Sequence, residues 1–118
     1  MPPPAAIARI GAIAVPISTM IRANELVRVL RQSDIGGLIV QRTMLGHDLV
    51  ERLCDALPAL RESSPDIRSA QAPYLRWVLS SGDGLPASVG QIESLAGEGQ
   101  AIGEDLLRAI ESEVHPTD

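Results

Sequence analysis

GAIAVPISTMIRANELVRVLRQSDIGGLIVQ, residues 11 to 41, changes its apolar period twice, and those changes decide the fold class. GAIAVPI, residues 11 to 17, is a short run of small and β-branched residues interrupted by Pro16, which predicts a buried parallel strand rather than a helix. From Arg22 to Ser33 the period becomes helical. Leu26, Val29, Leu30 and Ser33 fall at i, i+3, i+4 and i+7, whereas Arg22, Glu25, Arg28 and Gln32 lie on or near the opposite face. Ser33-Asp34 and Gly36-Gly37 end this amphipathic helix, and GLIVQ, residues 37 to 41, has the length and composition of a second strand.

The same alternation extends on both sides. Upstream, Ala5 to Ile10 reads as the end of a helix closed by Gly11. Downstream, Gly46 to Leu57 reads as a helix with Val50, Leu53, Cys54 and Leu57 on one stripe, Asp48 and Glu51 near its positive end, and Pro58 as its stop. Residues 61 to 73 are polar and punctuated, a surface loop with at most one helical turn. YLRWVLS, residues 74 to 80, predicts a third strand with Leu75, Trp77 and Leu79 on one face and Tyr74, Arg76 and Val78 on the other, followed by a Ser81-Gly82-Asp83-Gly84 turn. Two short helices close the chain. Val89, Ile92 and Leu95 follow a Ser88 cap candidate, and Leu106, Leu107, Ile110 and Val114 follow Glu104-Asp105, with Pro116 as the stop. Alternating strands and helices imply an α/β fold with a mainly parallel sheet and one domain over residues 1–118.

Composition narrows the chemistry. The 118 residues are 45% hydrophobic and 21% charged, an ordinary globular balance. With no Phe, one Trp and one Tyr, the core must be built from Leu, Ile, Val and Ala. All ten basic residues are Arg, so no Schiff-base lysine or phosphate-loop lysine can be drawn from these residues. Cys54 is the single cysteine, which excludes an internal disulfide and fits a reducing, cytoplasmic setting. The N-terminal apolar stretch is broken by Arg9 and Pro16 and is too short to span a bilayer. Residues 1–78 carry nine Arg against seven acids, and residues 79–118 carry Arg108 against eight. Without clustered cations or aromatic platforms, nucleic acid is not an expected partner.

No catalytic, cofactor-binding or metal-binding residue is assigned. His47 and Asp48 are neighbours at a helix start and point in different directions, so they read as capping or surface residues rather than as a base with its carboxylate. His115 is isolated, and two His without an i, i+4 pair make a poor transition-metal set. Cys54 lies on an apolar stripe with no basic residue at i−4 or i+4, the placing of a small buried hydrophobe. SSGDG, residues 80 to 84, lacks the spacing of either common phosphate loop. The acids of the last forty residues read as a solvated face or a docking surface.

Residues 8 to 40, ARIGAIAVPISTMIRANELVRVLRQSDIGGLIV, resemble the segment of adenylate-forming (AMP-binding) enzymes in which a helix leads to G-A-(V/I)-x-V-P-(L/I) and then to A-x-E-L-x-x-x-L-x-x-S-(D/G). Within that family it resembles fatty acyl-CoA synthetases in particular. LGHDLVERLCDALPALR resembles the family helix ending in L-P-x-L. APYLRWVLSSGD is similar to its later P-x-L-R-x-V strand, and EVHPTD to the V-x-P-x-D before its Y-T-S-G-T-T-G-x-P-K-G loop. The resemblance spans nearly the whole chain, and its order and spacing are more specific than any one motif.

That resemblance implies an incomplete part of a larger adenylate-forming N-terminal domain, the scaffold region preceding the phosphate-binding loop. For the parent enzyme it implies a ligase of fatty acid metabolism. A carboxylic, in particular fatty, acid attacks the ATP α-phosphate to give acyl-adenylate and pyrophosphate, and thioester formation with CoA follows. ATP, Mg²⁺ and CoA belong to that parent. No cofactor is expected for the fragment, which should be inactive and, with sheet edges uncovered, should self-associate. The rival reading is a self-sufficient α/β interaction module whose acidic helices at 88 to 114 bind a basic partner.

Overall fold

A computed structural model describes residues 3–62 and 66–115. The chain divides into two compact units, Ser18–Leu95 and a smaller one made of Met1–Ile17 with Ala96–Asp118.

The larger unit is the α/β body. Its strands β1 (Gly37–Val40), β4 (Trp77–Ser80) and β5 (Val89–Gln91) form a three-stranded parallel sheet in the order β1-β4-β5. Between β1 and β4 lie the two-residue antiparallel strands β2 (Thr43–Met44) and β3 (His47–Asp48), helix α3 (Leu49–Ala56) and a 3₁₀ turn at Pro58–Arg61. Helix α2 (Ala23–Gln32) precedes β1. The parallel register aligns Leu38 with Val78 and Val89, and Ile39 with Leu79 and Gly90. The two faces therefore differ. Val78 and Ser80 are buried on one, whereas Trp77 is exposed on the other.

Local chemistry explains the elements. Glu25 reaches back to accept the Arg22 N–H at 3.3 Å, half of a capping box, and Leu26 and Leu30 sink the apolar stripe of α2. Asp34 follows its C-cap Ser33 with φ of 50°, the left-handed conformation that Asp tolerates. Asp48 caps α3 by accepting the Glu51 N–H at 3.0 Å. Val50, Leu53, Cys54 and Leu57 are all buried, as their spacing predicts. Pro58 ends that helix and starts the 3₁₀ turn, whose Leu60 is fully buried.

In the smaller unit, α1 (Pro3–Arg9) ends in a Schellman motif. Gly11 at φ of 80° donates to the Ala8 carbonyl at 3.0 Å, and Ala12 donates to Ile7 at 3.1 Å. Helix α4 (Leu95–Gly99) begins at the boundary between the units, and α5 is Glu104–Ser112. Arg9 and Glu111 form an ion pair at 3.0 Å.

Several sequence expectations need correction. GAIAVPI is not a strand: Ala12 spends its N–H on the helix end, Pro16 has none to give, and Ile13 is 84% exposed. Gly46 to Asp48 does not begin the helix. Leu45 and Gly46, with φ of 51° and 80°, make the two-residue hairpin between β2 and β3, so α3 starts at Leu49. YLRWVLS forms a strand only from Trp77. Leu75 N–H turns back to Ala72 and Arg76 N–H crosses to Gly36, so the buried Leu75 lies outside the alternation. Val89 belongs to β5 rather than to a helix, and Ser88 donates its hydroxyl to the Leu60 carbonyl at 2.7 Å instead of capping. The polar 61–73 stretch also buries Ser69 and Ala72. Residues 63–65 and Pro116 lie outside the described residues.

Candidate functional site

The larger unit carries a cleft of about 310 Å³ lined by Met20, Ile21, Arg22, Ala23, His47 and Arg52. A turn positions its first wall: Met20 N–H donates to Ser18 Oγ at 3.1 Å and Ile21 N–H to the Ser18 carbonyl at 3.2 Å. Arg22 and Ala23 then open α2, so the helix presents its positive end there. The opposite wall comes from β3 and α3. His47 pairs with Met44 across the hairpin, and Arg52 Nη1 donates to the Thr19 carbonyl at 2.6 Å, tying α3 to the turn.

Arg22, Arg52, His47 and the start of α2 thus line an open cleft together with the apolar Met20, Ile21 and Ala23. This arrangement suits the anionic end of a ligand with an apolar portion. It contains no nucleophile–base pair.

The sequence candidates scatter around it. His47 lines the cleft, but its neighbour Asp48 is turned away, capping α3 and pairing with Arg42 Nε at 3.5 Å. Cys54 is 1% exposed, and burial pushes its thiol up from the ordinary value, partly offset by Arg61. Arg61 clamps the end of α3, donating to Asp55 at 2.6 Å, to Glu51 at 3.1 Å and to the Cys54 carbonyl at 3.1 Å.

The 80–84 loop turns carbonyls toward donors. Asp83 accepts from the Arg42 guanidinium, and Gly82 accepts from Gln91 Nε2 at 3.0 Å, which is the reverse of an amide cradle for phosphate. Of the late acids, Glu111 pairs with Arg9 and Glu104 faces Arg108 at 3.8 Å. His115 follows α5 in the smaller unit. Among the described residues no group of three His, Cys, Asp or Glu could hold a metal ion, and no helix is long and apolar enough to cross a membrane.

Nothing in the sequence marks Met20, Arg22 and Arg52 as site residues. The available signal was two Arg lying off the apolar stripes, one at the start of a helix, and it says nothing about their convergence.

The chain is 32% identical over 79 residues, 66% of its length, to a protein of Bacillus subtilis (strain 168) named "Putative acyl-CoA synthetase YngI". The match spans 14% of that relative's length. No family model and no solved structure matches the chain.

Proposed function

We propose that this chain is scaffold from the N-terminal part of an ATP-dependent acyl-CoA synthetase, inactive by itself in carboxylate activation. The observation that carries the reading is the 79-residue stretch shared with the Bacillus relative. The parallel sheet is compatible with it. The parent reaction would form an acyl-adenylate and pyrophosphate from a carboxylic, in particular fatty, acid and ATP, then transfer the acyl group to CoA.

The described residues do not fit ATP with Mg²⁺. The 118 residues contain no Lys, the 80–84 loop offers carbonyls, and among the described residues no acidic or imidazole cluster could bind a metal. No step of adenylation is therefore assigned to them. The cleft is the part whose composition suits a substrate: Arg22 and Arg52 line it with His47, Met20 and Ile21, and CoA brings phosphates joined to a less polar chain. The exposed Ile10, Ile13, Ile102 and Leu106 support the expectation of self-association.

The test has two arms. With ATP, Mg²⁺ and a panel of carboxylic acids, the purified chain should release no pyrophosphate above background, and release would overturn its reading as inactive scaffold. Titration with CoA should give saturable amide shifts at Ala23, His47 and Arg52. Their absence at millimolar CoA would remove the cleft from the proposal.

A further inference from the structure

Arg42 stands just past the carboxyl end of β1, at the start of the hairpin that carries His47. It follows β1 and precedes β2, and both its backbone and its side chain are engaged. Its N–H donates to Ser81 Oγ at 3.4 Å, and its carbonyl accepts from Leu49 N–H at 2.7 Å. The guanidinium pairs with Asp48 at 3.5 Å and donates to the Asp83 carbonyl. Its aliphatic stem lies along Gly82, where an added Cβ would come within 2.8 Å of Arg42 Cδ.

These contacts join two segments nearly forty residues apart in sequence. One is the loop after β4, with Gly82 and Gly84 at φ of 100° and 66°. The other is the Thr43–Asp48 hairpin, whose His47 forms a wall of the cleft. Ligands of open parallel sheets gather outside the carboxyl ends of the strands, where this junction sits. The planar fork serves Asp48 through Nε and the Asp83 carbonyl through Nη1, a spread that the compact charge of a lysine reproduces less well.

We propose that Arg42 is a positioning residue that locks the His47 wall of the cleft to the 81–84 loop, so that the two segments adopt one arrangement together. The consequence for binding rests on the reading of the cleft as a CoA-facing surface, whereas the coupling itself does not.

A double-mutant cycle read by amide chemical shifts tests it without ligand. Asp48→Asn keeps a good helix cap and removes the charge facing Arg42. The Gly82, Asp83 and Gly84 amides should then move, and the same substitution in an Arg42→Met background should leave them in place. Unmoved loop amides, or a shift that persists without Arg42, would overturn the coupling. Should Arg42→Met fail to fold, Ser81→Ala serves as the reciprocal change and must move the His47 amide; no movement there also overturns the proposal.

In the ligand arm, Arg42→Met should weaken CoA binding by about three- to tenfold, the scale of coupled neighbouring sites, with Arg42→Lys recovering part of the loss. A chain that ignores CoA yet passes the shift cycle loses the reading of the cleft and keeps the role of Arg42. CoA binding unchanged in Arg42→Met would sink the positioning role at the cleft while leaving the scaffold reading intact.

Discussion

Helices α2 and α5 have comparable sequences and opposite fates. ANELVRVLRQ and EDLLRAIES both carry apolar residues at helical spacing among charged ones. In α2, Leu30 is 1% exposed, whereas in α5 Leu106 is 56% exposed. The same contrast separates the two units: every buried side chain among the described residues belongs to Ser18–Leu95. Periodicity specifies that a helix forms and which face is apolar. Whether that face is covered depends on what other segments bring to it, and here α3 with its cap Leu57, the Pro58–Arg61 turn and β4 add Leu53, Leu57, Leu60 and Val78 to the buried set of the larger unit.

The sharpest test of this contrast is a matched pair of truncations. Leu30→Ala should cost about 2 to 5 kcal/mol in a denaturant melt, through lost burial and the cavity left behind. Leu106→Ala should change the same melt by less than about 0.5 kcal/mol, as exposed substitutions do. Equal costs would mean that α5 is as well covered as α2, and the distinction between the units would fail. A domain of this size holds only about 5 to 15 kcal/mol, so the Leu30 variant is expected to be close to unfolding.

A smaller effect is expected on the outer face of the sheet. An added Cβ at Gly37 would lie 2.0 Å from the Trp77 ring, far inside contact distance. Trp77 is about half exposed, so the indole has room to swing outward rather than force the strands apart. Gly37→Ala should therefore cost about 1 to 3 kcal/mol, the range for overpacking, with a change in Trp77 fluorescence. A neutral substitution with unchanged fluorescence would show that the indole does not rest on Gly37, and that this face is less organised than the buried one.

How far the fold was legible follows the same division. α2, β1 and the buried stripe of α3 could be read because their signals are local: a face at i, i+3, i+4, a cap, a stop. The parallel sheet could be read from alternation. GAIAVPI could not, because a short β-branched run does not reveal that Pro16 and the spent N–H of Ala12 leave it without strand pairing. Val89 has helical spacing with Ile92 and Leu95, although its N–H turns to Pro86 and β5 pairs beside β4, a contact between segments eleven residues apart. The cleft was the least legible part. Arg22, His47 and Arg52 are ordinary surface residues until the turn at Ser18 and the hairpin at Leu45-Gly46 bring them together.

The smallest expected effect lies in the smaller unit, where no described residue is buried and charge contributes a visible tie. Arg9 donates to Glu111 at 3.1 Å, and this hydrogen bond, with the attraction of the same guanidinium, holds the Glu111 carboxyl below its ordinary value. A depressed carboxyl adds stability above its unfolded value and loses it as pH falls through the folded one, so the contribution is intact at neutral pH and fades on acidification below the ordinary carboxylate range. Both groups are open to solvent, so salt should screen the pair. Followed by carboxyl carbon shifts, the Glu111 midpoint should rise toward the ordinary value in Arg9→Gln, while the cooperative melt, governed by residues 18–95, stays put. An unchanged midpoint would remove the ion pair as a tie between α1 and α5. A shifted melt would instead show that the smaller unit contributes to the stability of the larger one, and the contrast drawn between them would have to be withdrawn.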